Sequence, residues 1–561
     1  MLICGVKVSH DGGVALIDGN RLVFSVEVEK LDNNHRYHPL DYIERVAEVL
    51  RRENVDPCDV DRFVIDGWWS PSRDGSTCVH SRAGGRRVEL AVAPYVDAGP
   101  VRHCLARYSF QTEHFKFAEV EYSSYHHATG HLLGCYCSSP FAKRGEDALI
   151  LIWDGGMAPR LYQVTARTLS ARPVGTLLPL IGNIFGDFCG CFEPFAVDQT
   201  DWTEDQSLYY RLATAGKAMA YAALGQVEEN AFSYLDKVID GLPRVSADNA
   251  EVIAQRVIND RADYLRGMSN ADIVSTFQAY LGKRLLKSLA ELVGRHFSRE
   301  QPNLGMAGGC ALNIKWNRAV RDSGMFREVW VPPFPNDSGA AIGAASAEMF
   351  CHDQVPAFDW DVYGGPLVDT TIQPAGWTSR PCSERGVAEI LHTEGEPVVV
   401  LSGRAELGPR ALGNRSILAP ATEPYMKDRL NEMKGRESYR PIAPICLESS
   451  AHEIFDPGTP DPYMLFEHQV RGDWARRIPA VVHLDGTARL QTVKPDACRA
   501  ARILAEYELL SGIPVLCNTS ANFNGCGFFP DLASAAKWGK TKYIWADGTM
   551  YLNPQNATRN S

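Results

Sequence analysis

"LICGVKVSHDGGVALIDGNRLVFSVEVE" (residues 2–29) decides the fold, because "ALILIWDGGMAPRLYQVT" (148–165) repeats its design. In the first copy "LICGVKV" reads as a strand, "SHDGG" as a turn, "VALI" as a strand, "DGN" as a second turn and "RLVFSVEVE" as a third strand. The second copy has the strand "ALILIW", the tip "DGG" and the strand "MAPRLYQVT". Asp11-Gly12-Gly13 and Asp154-Gly155-Gly156 are therefore equivalent tips in two copies of one unit. Each alone reads equally as a plain hairpin turn. Their repetition favours two related lobes facing a cleft, where glycines let backbone amides approach an anion and the aspartate reaches a metal or polar ligand.

Around this duplication the chain is ordinary for a globular protein. It has 561 residues, 45% hydrophobic and 22% charged, so two to four domains are expected. A net charge of -11 argues against bulk affinity for nucleic acid or an anionic membrane. The absence of a long apolar run or a signal-peptide pattern predicts a soluble, cytoplasmic protein. The 15 cysteines are scattered without paired C-x-x-C spacing, as reduced thiols would be. "CYC" (135–137) and "CGC" (189–191) could be soft metal ligands, but packing explains each more simply. Residues 203–300 carry helical periodicity. A Pro/Gly-rich, aperiodic stretch places a linker at 356–385, between domains at 1–355 and 386–561. The tail "NPQNATRNS" is expected to fray.

Chemistry-bearing residues collect in three places. In "YHHATGHLLG" (125–134), His127 and His131 are one helical turn apart, so they can chelate one ion or sit as an ordinary packed pair. "NLGMAGGCALNIKWNRAV" (303–320) reads as strand, glycine pair and helix, a junction that suits a nucleotide. "VWVPPFPNDSGAAIGAASAEMF" (329–350) has the same grammar, with Asp337 at its turn. The third place is basic. Residues 404–440 hold eight Lys/Arg against five Asp/Glu, with Arg410, Arg415, Lys434, Arg436 and Arg440 in loop-like context. Such guanidiniums suit phosphate oxygens. Arg489 and the strand end Asn518, Thr519 and Ser520 add further donors. No G-x-x-x-x-G-K-[ST] is present, so this is not a P-loop enzyme.

"GPRALGNRSIL", "RPIAPICLE", "HLDGTARLQTV", "PVLCNTSANFNG", "AGGCALN" and "PPFPNDSGAAIGAA" together resemble the signature segments of the nodulation- and antibiotic-type O-carbamoyltransferases. The opening "HDGGVALIDGNRLVFSVEVEK" looks most like the branch acting on cephem antibiotics. The resemblance implies an α/β protein: a duplicated ASKHA-type (actin/hexokinase-like) N-terminal domain and a YrdC-like C-terminal domain. It implies that carbamoyl phosphate and ATP, with Mg(2+), give carbamoyl-adenylate and pyrophosphate in the second domain. The carbamoyl group then passes to an acceptor hydroxyl in the first.

The same resemblance assigns residues. His127, His131, Asp154 and Asp337 would hold a metal, and an N2O2 set with open positions suits Fe(2+). His10 would be the general base. Asp11, Gly12, Gly155, Gly308, Gly309 and Asn313 would cradle the adenylate. Arg410, Lys434, Arg440, Arg489, Asn518 and Ser520 would bind carbamoyl phosphate and ATP. His35, in "EVEKLDNNHRYH" (27–38), falls near the acceptor region where relatives carry a lysine. The expected partner is a small hydroxylated molecule, without nucleic acid or membrane, and with a homodimer as the assembly to consider. A tRNA threonylcarbamoyl-type transferase and a non-catalytic nucleotide-binding regulator are the alternatives; the acidic charge opposes the first and the full set of residues the second.

Overall fold

The computed structural model describes residues 1–71, 77–97, 103–114, 121–297 and 301–554. Two compact units divide it: residues 1–25 with 39–360, and 26–38 with 361–561. Of the tail expected to fray, 555–561 lie outside the described residues.

In the first unit the repeat is present as two sheets, the first of six described strands and the second of five. β1 (Leu2–Lys7), β2 (Gly13–Asp18) and β3 (Arg21–Glu27) form an antiparallel run that β4 (Arg62–Asp66) extends in parallel beside β1. β5 (Tyr108–Gln111) and β6 (Glu121–Tyr125) complete a sheet of order β3-β2-β1-β4-β6-β5. The second sheet copies it, with β5 lacking a counterpart. β7 (Ala148–Ile152), β8 (Arg160–Thr165) and β9 (Ser170–Thr176) run antiparallel, and β10 (Asn303–Ala307) and β11 (Val329–Trp330) add in parallel, giving β9-β8-β7-β10-β11. The central strands are apolar along their length because both sheet faces are covered; every residue of β7 is buried. This is the expected duplicated α/β arrangement. The expected third strand to residue 29 ends at Glu27, and Val28–Lys30 forms a short 3-10 turn.

One helix from each half packs on the sheet of the other half, and the two helices pack on each other. α1 (His127–Cys137) follows β6, and α2 (Ala340–Cys351) follows the Asp337 turn. α1 is buried throughout and α2 nearly so, which fits their lack of a polar stripe. They cross where neither has a side chain: a Cβ on Gly343 would stand 2.3 Å from the Gly130 oxygen. Within the second half, between β9 and β10, Glu204–Tyr221 and Asn270–His296 are the long members of a helical insertion, each opened by a capping box, at Thr203 and Ser269. No described helix is long and apolar enough to cross a membrane.

The second unit centres on a mixed sheet. Its strands are β12 (Thr378–Pro381), β13 (Val398–Leu401), β14 (Arg415–Pro420), β15 (Ala443–Leu447), β16 (Gln491–Val493), β17 (Val515–Ser520), β18 (Tyr543–Ala546) and β19 (Thr549–Leu552). Their order is β12-β19-β18-β13-β14-β17-β15-β16. Residues 26–38 belong here although they follow β3 directly. Lys30 is buried, pairs with Glu27, and donates to the Glu406 and Gly408 carbonyls at 2.6 and 2.8 Å. Arg36 donates to the Pro409 carbonyl at 2.7 Å, and Asn33 to the Ser534 hydroxyl at 2.8 Å. The region read as a linker is thus shared between units, and β12 and the first residues of the helix Glu384–Thr393 lie within it.

Candidate metal centre and anion site

The four ligand candidates converge. His127 and His131 come from the first turns of α1, Asp154 from the tip after β7, and Asp337 from the turn before α2. Their donor atoms lie within 4.8 Å of one another and all four residues are buried. The imidazole Nε2 atoms are 3.1 Å apart. His127 Nε2 is 3.5 Å from Asp154 and 3.3 Å from Asp337; His131 Nε2 is 3.6 and 3.4 Å from the same two. His127 Nδ1 faces the Asp66 carboxylate at 2.7 Å. A carboxylate only accepts, so it fixes a proton on Nδ1 and leaves Nε2 facing the other three residues. Two imidazoles and two carboxylates in this relation fit a divalent transition metal.

A surrounding layer orients the four. Lys7 Nζ bridges Asp66 and Asp337 at 2.8 and 2.9 Å. Tyr95 donates its hydroxyl to Asp154, whose other oxygen accepts the Gly309 N–H at 2.6 Å. Burial alone would raise these carboxyls. The His127 and Lys7 charges hold Asp66 below the usual carboxylate range, and Lys7, His127 and His10 do the same for Asp337. His10 sits at the edge, its side chain 19% exposed, with Nδ1 2.9 Å from Asp11 and Nε2 3.7 Å from Asp337. Burial lowers the His10 imidazole, but Asp337 and Asp11 overcome this and raise it. Asp11 is left-handed (φ 55°), a conformation aspartate tolerates.

The expected adenylate residues lie beside this group, with much of their hydrogen bonding spent inside the protein. Gly308 (φ 88°) packs so closely that a Cβ would stand 2.4 Å from the Trp153 oxygen, and its N–H donates to Pro335. Gly309 serves Asp154, and Asn313 caps its own helix through the Lys315 and Trp316 amides. Gly12 and Gly155 remain at the two tips. Cys135 and Cys137 are buried within α1, and all 15 cysteines are free thiols.

In the second unit the basic residues split into two kinds. Arg415 is structural: its guanidinium donates to the Ser402, Asn414, Pro366 and Gly403 carbonyls. Lys434 is also saturated, by the Ser520 and Asn522 carbonyls and the Asn522 side chain. It ends the helix α3 (Tyr425–Lys434), and Arg415 opens β14, so neither lies in the loop expected for it. Asn518 holds Ala411 and Gln491, and Ser520 meets Asn522 and Arg436, so both help build the site.

Arg410 and Arg489 differ, because each has a buried Nε without a hydrogen-bond partner. Burial, then repulsion from Arg489 and Arg36, pushes Arg410 well below the usual arginine range. Burial and the same neighbourhood bring Arg489 down to about 10 and Arg436 to about 9. Arg440 adds to the repulsion, with Glu437 at 3.5 Å. Guanidiniums crowded in this way repel one another, a repulsion that an anion would relieve.

Two contributors were not anticipated. Glu406 is fully buried and gathers the Leu412, Asn414 and Arg415 amides, shaping the loop that carries Arg410. Arg36 joins the cationic group from the N-terminal excursion, while its neighbour His35 is exposed and forms a backbone bridge with Cys526.

Comparison with known proteins follows this division. Residues 2–346 match the family described as Carbamoyltransferase N-terminus, and residues 388–544 match Carbamoyltransferase C-terminus. Nodulation protein U of Rhizobium tropici is 44% identical over 99% of this chain and 97% of that protein. The 3'-hydroxymethylcephem-O-carbamoyltransferase of Amycolatopsis lactamdurans is 33% identical over 97% of each. The cephem likeness of the opening segment therefore does not extend to overall identity, which is higher for Nodulation protein U. Among solved structures, the activator of the 2-hydroxyisocaproyl-CoA dehydratase from Clostridium difficile with bound ADPNP aligns with 64% of this chain and 100% of that chain. Its TM-score is 0.33 and its identity 16%.

Proposed function

Because the chain belongs to the carbamoyltransferase family, we propose that it is an ATP-dependent O-carbamoyltransferase acting on a hydroxyl of a small molecule. Its second unit would be YrdC-like and form carbamoyl-adenylate. Carbamoyl phosphate, ATP and water would give the adenylate, pyrophosphate and phosphate. Arg410, Arg489, Arg436, Arg440 and Arg36 would hold the phosphoryl oxygens, and an anion there relieves their mutual repulsion. Lys434, Asn518 and Ser520 would keep the guanidiniums in place.

In the first unit, the observation that carries this reading is the buried His127, His131, Asp154 and Asp337 group with His10 at its exposed edge. Those four residues would hold Fe(2+) or a related dication, which when bound would polarise the carbamoyl carbonyl as a Lewis acid. Asp11 keeps the His10 Nδ1 proton in place, so Nε2 takes the proton of the acceptor hydroxyl. The hydroxyl oxygen bonds to the carbamoyl carbon, the carbon–oxygen bond to the adenylate phosphate breaks, and AMP leaves. The relatives include a protein named for a hydroxymethyl acceptor, which supports a primary alcohol here.

The test is isotope exchange. Purified protein with Mg(2+) and carbamoyl phosphate is expected to exchange pyrophosphate into ATP. His131→Ala should keep that exchange within about threefold and lower transfer to an acceptor by at least about a thousandfold. Absence of exchange in the wild type, or its loss together with transfer in the variant, would sink the proposed division of labour.

A further inference from the structure

Two adjacent tryptophans flank the metal centre, and only one is consumed by it. Trp68 stands edge-on to His10 and His127, at 5.4 and 5.9 Å between ring centroids, and carries Lys7 Nζ 4.3 Å from its ring. Trp69 has one face on Tyr95, stacked at 5.1 Å and 22°. Its edge closes over the second Asp-Gly-Gly tip, where a Cβ on Gly156 would meet the indole at 2.3 Å. Yet Trp69 is 51% exposed. Leaving so much indole in water forgoes the burial that usually places tryptophan.

The indole is thus a fixed, neutral, flat surface beside the base and the four ligand residues. Tyr95 anchors it from behind and is itself tied to Asp154 by its hydroxyl. A single flat ring suits a small molecule better than a protein partner. His10 and Trp69 both flank Trp68, at 5.4 and 5.6 Å between centroids. Trp68 is therefore the common neighbour of the exposed indole and the His10 imidazole.

We propose that Trp69 is the acceptor platform, selecting acceptors that carry a ring face. The face lies on the indole and the hydroxyl turns to His10 Nε2. This rests on the carbamoyl-transfer reading and assigns a specificity-determining residue to that site. A pyranoside and a hydroxymethyl-bearing bicyclic heterocycle share this chemistry; a linear alcohol lacks the face.

Three acceptors test it: methyl β-D-glucopyranoside, a hydroxymethyl bicycle and n-propanol. Trp69→Ala is expected to raise KM for at least one ring acceptor by about 10-fold or more, with kcat changed less than about threefold. It should leave n-propanol unaffected, and Trp69→Phe should restore most of the loss. Unchanged KM for both rings, or an equal loss with n-propanol, overturns the platform. The glucoside and bicycle arms decide which ring class is bound. A turnover-free readout separates failures: wild-type tryptophan fluorescence should change as a ring alcohol is titrated, and Trp69→Phe should abolish that change. Pyrophosphate exchange without this signal leaves the activity standing and the platform refuted; the signal without exchange does the reverse.

Discussion

Lys7 shows what a single residue adds to the centre. It is 1% exposed in an otherwise apolar strand, and its ammonium ties Asp66 to Asp337. His127, His131, Asp154 and Asp337 were open to nomination from sequence because turn chemistry and helical spacing mark them. Asp66, Tyr95 and Glu406 were not, because a carboxylate or phenol that serves another residue has no local pattern. Lys7 did leave a signal, since a charge inside "LICGVKV" needs a buried partner. The arginines carry a matching lesson about charge without partners. Arg489→Met should make the ligand-free second unit more stable by about 1–3 kcal/mol, since it removes one of several repelling buried charges. Urea unfolding measures this. The same variant should lose most of the stabilisation that carbamoyl phosphate or ATP gives the wild type, and unchanged ligand stabilisation would remove Arg489 from the site.

At the scale of elements, the strand–tip–strand repeat was legible because its short apolar runs and Asp-Gly turns are local. The crossing of α1 and α2 was not, although glycines stand four apart in α1, Gly130 and Gly134, and at the start of α2, Gly339 at the N-cap and Gly343. Such spacing permits close approach without saying to what. The crossing brings the His127–His131 helix against the helix that follows Asp337, so it sets how near the two halves of the ligand set come. Gly343→Ala would press a methyl against the Gly130 backbone oxygen, which cannot swing aside. It should destabilise the first unit by about 1–3 kcal/mol. Gly216→Ala, in the open middle of the helix Glu204–Tyr221, meets nothing within 4 Å and should stabilise it by about 0.5–1 kcal/mol. Opposite signs in chemical denaturation are the expected outcome; equal signs would mean that the crossing tolerates a side chain.

For the whole molecule, a boundary read from Pro/Gly content finds the neighbourhood where 360 gives way to 361, but cannot find residues 26–38. Nothing in "VEVEKLDNNHRY" looks like a connector, and its partners are hundreds of positions away. Burial, opposed by Lys30, pushes the Glu27 carboxyl up to about 7. Lys30→Met strips that carboxyl of its counter-charge and leaves two backbone carbonyls unserved. The loss should be about 3–5 kcal/mol in the second unit, read by hydrogen exchange at β13 and β14. Adding Glu27→Gln should recover part of it, because the two sites are coupled.

The excursion also sets an order of events on the ribosome. Lys30 is synthesised 376 positions before the Glu406 carbonyl that receives it. At typical elongation rates that is a wait of roughly 20–75 s. Throughout it, the nascent chain carries a segment of the second unit between β3 and β4 of the first. The opening β-strands must therefore assemble around a loop left hanging in solvent, and the last third of the polypeptide must find that loop to finish folding.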